Sequence, residues 1–204
     1  DYVDANKGNS AEGSMTLVAA DGAILYNGAL TQIKSRGNST FLYYDKKSYQ
    51  IKLDSKSDLL GLGEKGKTWV LLAGYGDATQ MHDKLFKDLA AQVGLAFSPD
   101  CDWVDLYYDG EYRGTYLLSE KNNVNENTVN ITDMEKLYEQ ADPSYGDNAV
   151  TAEGTNAYGQ SYSYTQGLAG PDDLTGGWLR ELNHNTIDEA NGFHTRQEGG
   201  FNVK

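Results

Sequence analysis

Basic and amide side chains cluster before the middle of the chain. Arg36 and Asn38 stand where a predicted strand ends, in a Gly-containing turn whose exposed N–H groups can form an anion-binding nest. Lys46, Lys47 and Lys52 lie on or near the next predicted strand. A lysine on a central strand beside such a turn is one way to hold nucleotide phosphates. An ordinary solvent-facing lysine is the more common explanation of Lys52, so the residues alone leave both interpretations open.

Other kinds of catalytic or metal site have no support in the sequence. The three histidines are scattered, at His82, His184 and His194. None has the spacing of a zinc motif, no serine lies in a Gly-x-Ser-x-Gly turn, and the acidic residues form no EF-hand pattern. Cys101 is the single cysteine and lies between two aspartates that disfavour a thiolate, so we expect a structural residue rather than a nucleophile. The sequence therefore predicts neither a hydrolytic triad nor a metal site.

The charge balance limits the class of partner. The chain of 204 residues carries 30 acidic and 17 basic side chains, for a net charge of −13. This field repels nucleic-acid backbones, although a local group of Lys and Arg can still bind a small phosphorylated ligand. No apolar run approaches the roughly 20 residues that cross a bilayer, so no membrane span is predicted. Abundant Tyr and Gly with a single Cys are common in exported bacterial proteins, so we expect a secreted or cell-surface location.

The elements that must position these residues are mainly strands. Asp21-Gly22 and Asp109-Gly110 each separate two strand-like segments and predict β-hairpins. Residues 47–53 alternate between apolar and polar side chains, and the apolar run 69–73 is typical of a buried strand. These signals predict one mainly antiparallel α+β unit over residues 14–121.

One helix is predicted from Thr79 to Val93. Its apolar residues form a stripe at helical spacing, made of Leu85, Phe86, Leu89, Ala90 and Val93. Asp77 or Thr79 can cap its start, and Gly94 can end it. We therefore expect one long helix that packs its apolar stripe against the sheet.

The two ends of the chain give weaker signals. Residues 1–13 are polar and predict a ragged terminus, whereas 122–204 reads as a linker, an insertion and the start of a second part. Within the second region, 142–177 is rich in Tyr and Gly and predicts a long loop. The remaining predicted elements are a short helix at 132–140 and short strands at 178–182, 193–195 and 201–203.

Six segments follow one another in a characteristic order. They are RGNST (36–40), KKSYQIKL (46–53), DLLGLG (58–63), WVLLAGYGDATQMHDKLFKDLA (69–90), VDLYYDGEYRGTYLLSEK (104–121) and GGWLRELN (176–183). Together they resemble the CotH kinase family, named after spore coat protein H, over most of the chain. The resemblance implies a protein-kinase-like, two-lobed fold that transfers phosphate from ATP, held with Mg²⁺ or Mn²⁺, to Ser or Thr of an acceptor protein.

The resemblance also implies which residues meet the nucleotide. Arg36, Lys47 and Lys52 are similar to phosphate-facing positions, and Asn38 belongs to the same turn as Arg36. Glu120 lies in a segment similar to the one that joins the two lobes, where an adenine ring would bind. The catalytic residues of this chain stay unknown, because the Asn-x-Asp block that carries the family's metal and catalytic aspartates is not found. We therefore expect an incomplete second lobe and a chain that is inactive as given.

Several positions depart from the family pattern and support an alternative. His82-Asp83 stands where the family has Arg-Asn, which removes a permanent positive charge and adds a negative one. Ser48 replaces a proline, and Phe41 replaces a tryptophan. The alternative is a non-catalytic structural or interaction module of an extracellular assembly of the spore-coat or cellulosome type, in which exposed aromatic side chains contact a partner.

Overall fold

The structure, a computed structural model, describes two compact units. The described residues are 1–61, 66–125, 128–133, 136–137, 140, 150–155, 161–166, 182–183, 193–194 and 202–203. Unit 1 comprises residues 1–123 with 127–129, and unit 2 comprises 124–126 with 130–204.

Unit 1 is built on one six-stranded sheet. Its strands are β1 (Ser10–Val18), β2 (Ile24–Arg36), β3 (Ser48–Ser57), β4 (Gly66–Leu72), β5 (Cys101–Tyr108) and β6 (Glu111–Glu120). They lie in the order β1-β2-β3-β4-β6-β5, and every neighbouring pair is antiparallel. The sheet curls into half a barrel, and the described residues of this unit also form three helices, α1 (Tyr2–Ala5), α2 (Ser39–Tyr43) and α3 (His82–Gln92). The predicted, mainly antiparallel sheet is thus confirmed.

Both predicted hairpins are present. Asp109 and Gly110 have φ angles of 50° and 78°, the left-handed conformation that a two-residue turn between β5 and β6 requires. Gly22 has a φ of 89° in the turn between β1 and β2. Gly tolerates this conformation because it has no Cβ, and Asp tolerates it better than most residues. Local turn chemistry therefore sets these two strand pairings.

The core lies on one face of the curled sheet. Alternation along β3 places Tyr49, Ile51 and Leu53 on this face, where each is at most 1% exposed. The neighbouring strands contribute Trp69, Leu71, Tyr116 and Leu118. The opposite face of the sheet carries the polar residues of β3 and the end of β2.

The first residues of the chain are ordered rather than ragged, because they close this core. Val3 of α1 is 1% exposed among the core side chains. The carboxylate of Asp4 accepts hydrogen bonds from the hydroxyls of Ser35, at 3.0 Å, and Tyr49, at 3.1 Å. Residues 1–13 therefore contain α1 and the start of β1, and a buried valine with a bonded carboxylate holds them.

Helix α3 begins and ends near its predicted bounds. Asp77 accepts a hydrogen bond from the backbone N–H of His82, the first helical residue, at 3.0 Å. At the other end Gly94 has a φ of 75°, and the N–H groups of Gly94 and Leu95 donate to the carbonyls of Ala91 and Ala90. This pair of bonds is a Schellman motif, which ends helices at a left-handed glycine.

The predicted packing of that helix is not shown. Leu85, Phe86 and Val93 of its apolar stripe are 56%, 65% and 66% exposed. The side turned toward the sheet instead carries Lys84 and Lys87, whose ammonium groups bond to β5 and β6. The long packed helix that the sequence predicts is therefore an 11-residue helix held mainly by polar contacts.

Unit 2 contains further short strands. β7 (Val150–Thr155) and β8 (Ser161–Gln166) form an antiparallel hairpin inside the segment predicted to be a loop. Tyr and Ser alternate over residues 161–164, a pattern that suits a strand. β9 (Leu182–Asn183), β10 (Phe193–His194) and β11 (Asn202–Val203) form a three-stranded sheet, in which β10 and β11, at the positions of the last two predicted strands, pair with each other. Four of the five residues of the predicted strand 178–182, and four of the nine residues of the predicted helix 132–140, lie outside the described residues.

Candidate functional site

A pocket of about 340 Å³ opens in unit 1 where three strands end at the same edge of the sheet. Arg36 ends β2, its register partner Ser48 begins β3, and Leu72 ends β4. The other walls come from the loop 73–77, the first turn of α3, and three residues between β2 and β3, namely Thr40, Tyr44 and Lys46. Segments that are distant in the sequence, but that all carry the resemblance described above, therefore meet at one cavity.

Arg36 brings an unpaired positive charge to this pocket. Its side chain is half-buried, and burial lowers the pKa of the guanidinium. Among the residues that the structure describes, none forms a hydrogen bond or an ion pair with it. Gly37 has a φ of 103°, and a Cβ there would lie 2.0 Å from the Thr40 hydroxyl oxygen, so the turn after Arg36 requires glycine. The guanidinium keeps its donors available for a ligand.

Asn38 is turned away from the pocket. Its side-chain oxygen accepts a hydrogen bond from the ammonium of Lys7, and its carbonyl accepts from Leu42 N–H in α2. The turn that the sequence predicts as an anion-binding nest therefore leads into a short helix. The described pocket lining does not include Asn38.

Two neighbouring lysines have different structural roles. Lys46 lines the pocket, and its ammonium donates to the carbonyls of Ala73, at 3.0 Å, and Thr115, at 2.5 Å. Burial lowers the pKa of Lys46. The ammonium of Lys47 donates to the carbonyls of Phe41, at 2.7 Å, and Tyr44, where α2 ends. Both ammonium groups thus bind backbone carbonyls, and the structure does not bring Lys47 into the pocket.

Lys52 and Glu120 also lie apart from Arg36. Lys52 is exposed on the same face of the sheet, but it follows Ser48 by four residues, about 13 Å along the strand. Glu120 is 4% exposed on the core face, where its strand pairs with Trp69. Of the five residues predicted to contact a nucleotide, Arg36 therefore lines the pocket and the other four do not.

Two aspartates of the pocket differ in their bonding. Asp77 accepts hydrogen bonds from the hydroxyl and N–H of Thr79 and from the N–H of His82, whose imidazole nitrogen lies 2.8 Å away. The Thr79 hydroxyl above all holds the pKa of Asp77 below its usual range. Asp83 has no such bond or ion pair within the described residues. With respect to the residues that the structure describes, the pocket therefore presents one free guanidinium and one free carboxylate.

Lys87 lies over the sheet face opposite the core and was not among the residues predicted from the sequence. Its ammonium donates to the Ser119 hydroxyl at 2.9 Å, and its side chain is half-buried between α3 and the sheet. The sequence pattern that could have indicated Lys87 is its position on the helix, because Lys84 and Lys87 lie three residues apart on the side away from the apolar stripe. Cys101 is buried nearby, and burial raises the pKa of its thiol, as expected for a structural cysteine.

No metal cluster or membrane-spanning helix occurs in the described part of the chain. No three His, Cys, Asp or Glu side chains converge there in a way that could hold a metal ion. None of the helices within the same residues is long and apolar enough to cross a membrane.

Comparison with known proteins supports the family relationship. The model of the CotH kinase protein family matches residues 33–175, which is more than two thirds of the 204 residues and includes every residue that lines the pocket. No curated protein matches the chain. The chain belongs to the CotH kinase family.

Proposed function

We propose that unit 1 supplies the nucleotide-binding part of a protein-kinase-like CotH domain, and that the Arg36 pocket receives phosphate oxygens of ATP. The unpaired guanidinium of Arg36 carries this proposal. A planar guanidinium presents paired donors that match the oxygens of a phosphate, and partial burial strengthens such bonds. A local cation of this kind can act against the overall charge of −13.

The residues present fit a nucleotide bound with Mg²⁺ or Mn²⁺. Mg²⁺ commonly binds through one or two carboxylates together with substrate phosphates and water. Asp83 lines the same pocket as Arg36, and its carboxylate has no hydrogen bond or ion pair within the described residues. When bound, the metal neutralises charge that develops on the transferred phosphoryl group. In this chain Arg36 would orient the phosphates, and the loop 73–77 would exclude water from one side.

We infer the finer activity from the family. The proposed reaction is transfer of the γ-phosphoryl group of ATP to Ser or Thr of an acceptor protein, in a secreted or cell-surface setting. The exported type of composition supports that setting. We expect the 204-residue chain to bind nucleotide without transferring phosphate, because the Asn-x-Asp block is not found in its sequence.

Calorimetric titration of the full chain with MgATP tests the proposal. Arg36→Ala should weaken binding about tenfold or more, the effect of losing one hydrogen bond to a charged group. Arg36→Lys should fall between, because lysine keeps the charge but not the paired donors. Lys56→Ala is the matched control, since Lys56 is exposed on β3 about 26 Å from Ser48. Absence of MgATP binding, or equal affinity of wild type and Arg36→Ala, would contradict the proposal.

A second function follows if nucleotide does not bind. Asn38, Lys47, Lys52 and Glu120 lie outside the pocket lining, which favours a non-catalytic interaction module in an extracellular assembly. The MgATP titration separates the two functions, and incubation with ATP, Mg²⁺ or Mn²⁺ and a serine-rich protein adds a test of transfer, which neither function predicts for this chain. If neither nucleotide binding nor phosphate transfer is observed, the result supports the module, whereas phosphate transfer would exclude it.

A further inference from the structure

A second half-buried cation faces the same side of the sheet as Arg36. Lys87 projects from α3, and one of its three N–H donors is bonded to the Ser119 hydroxyl at 2.9 Å. That hydroxyl in turn lies 3.3 Å from the Glu120 carbonyl, to which it donates. The ammonium is therefore held in one place while two donors stay available.

Arg36 and Lys87 carry like charges on the same side of the sheet, and the charge of Arg36 opposes that of Lys87. Burial lowers the pKa of Lys87, and the charge of Arg36 lowers it further, whereas Asp83 acts in the opposite direction. Asp83 precedes Lys87 by one helical turn, but no ion pair joins it to either cation within the described ranges. Two half-buried cations without a paired carboxylate are unusual in a chain with 30 acidic residues. An anionic ligand would remove this repulsion.

Strands β3 and β4 lie between the strand that carries Arg36 and the strand that Lys87 contacts. Ser119 on β6, Val70 on β4 and Gln50 on β3 are register partners in one row across the sheet. Arg36 and Ser48 belong to the next row toward the pocket. Three strand spacings separate β2 from β6, about 14 Å.

We propose that Arg36 and Lys87 bind a polyphosphate chain at two points, with Arg36 at the pocket and Lys87 beneath α3. The inference rests on the proposed nucleotide function and adds a second phosphate contact to it. Ser119 is a positioning residue, because it fixes the Lys87 ammonium without reaching the ligand. The ligand class is a di- or triphosphate, since a chain of phosphates can contact both cations at once.

Titration of the full chain with sodium tripolyphosphate and, separately, with MgATP tests the second contact. Lys87→Met should weaken the binding of both ligands about tenfold or more, whereas Lys87→Arg should keep most of the wild-type affinity. Lys84→Met is the matched control, because it removes the same charge from the same helix. Lys84 is paired with Asp88 at 3.2 Å and donates to the Cys101 carbonyl, so its loss should change affinity by about twofold or less.

The two ligands separate this inference from the proposed function. MgATP binding that is equal in wild type and Lys87→Met would overturn the Lys87 contact while the nucleotide function stands. Equal weakening by Lys87→Met and Lys84→Met would also overturn it, since only net charge would matter. Tripolyphosphate binding that depends on Lys87, without MgATP binding, would support the contact and contradict the nucleotide function. If Lys87→Met does not fold, Lys87→Arg and Ser119→Ala replace it. An affinity of Lys87→Arg close to that of wild type, together with a weaker affinity of Ser119→Ala, supports the contact. A weaker affinity of Lys87→Arg, together with an unchanged affinity of Ser119→Ala, overturns it.

Discussion

The ammonium of Lys46 lies 3.0 Å from the carbonyl oxygen of Ala73, the residue that follows β4. The same ammonium donates to the carbonyl of Thr115 on β6, at 2.5 Å, and lies 4.2 Å from the centre of the Tyr116 ring. One side chain thus ties the beginning of the loop 73–77 to the sheet. Because this loop lines the pocket, the bond contributes to the shape of the candidate site.

Lys46→Met should destabilise unit 1. The substitution leaves two carbonyls without their charged donor, so we expect the free energy of unfolding to fall by about 2 kcal/mol. Urea unfolding followed by tryptophan fluorescence measures the change. Lys56→Met, at an exposed position of β3, should stay within about 0.5 kcal/mol of wild type. Equal stability of the two variants would mean that the Lys46 bonds contribute nothing to folding.

Alkaline pH should destabilise the fold through its buried tyrosines. Burial raises the pKa of Tyr116 to about 12, and burial with the nearby Asp4 also raises the pKa of Tyr49. The unfolded chain loses these protons near pH 10, so their contribution is complete below pH 10 and is lost as the pH rises through the folded pKa. Each tyrosine should reduce the free energy of unfolding by about 1.4 kcal/mol per pH unit in this window.

Unfolding free energies at pH 9, 10 and 11 measure this slope. Tyr116→Phe has no phenolic proton at that position, so its slope should be shallower than that of wild type. A wild-type stability that is constant from pH 9 to 11 would contradict the prediction. Identical slopes in wild type and Tyr116→Phe would show that Tyr116 is not responsible.

Local chemistry made part of the fold predictable. Asp109-Gly110 demands a tight turn whatever surrounds it, and alternation along β3 decides which residues face the core. The site was less predictable, because it depends on pairings between distant segments. Lys46 and Lys47 are adjacent and both precede the first residue of β3, so no pattern could tell which of them reaches the pocket. Glu120 faces the core because its strand pairs with Trp69, a register that the sequence does not reveal.

The amphipathic pattern of α3 shows a related limit. The spacing of apolar residues and Gly94 predicted where the helix lies and where it ends. It also showed which side of the helix is apolar, but not which side contacts the sheet. Lys84 and Lys87 face the sheet because its carbonyl and hydroxyl groups accept hydrogen bonds from their ammonium groups. The polar face of a helix can therefore pack against a sheet even where hydropathy alone predicts that the apolar face does so.

Val3→Ala should destabilise unit 1, although the residue lies near the end of the chain. Val3 is 1% exposed in the core, so removal of two carbon atoms should lower the free energy of unfolding by about 1–2.5 kcal/mol. Tyr2→Ala is the control, because Tyr2 is 65% exposed. Urea unfolding compares the two variants with wild type. A Val3→Ala variant with the free energy of unfolding of wild type would support the ragged terminus that the sequence predicts.

Leu85→Ala and Leu53→Ala make the same chemical change at two contrasting positions. Leu53 is completely buried in the core, so its truncation should lower the free energy of unfolding by about 2–5 kcal/mol. Leu85 is 56% exposed on α3, and alanine has the higher helix propensity, so its truncation should change the free energy by less than about 1 kcal/mol. Urea unfolding measures both. A loss at Leu85 as large as that at Leu53 would mean that the apolar stripe of α3 is buried in the folded chain, as the sequence predicts.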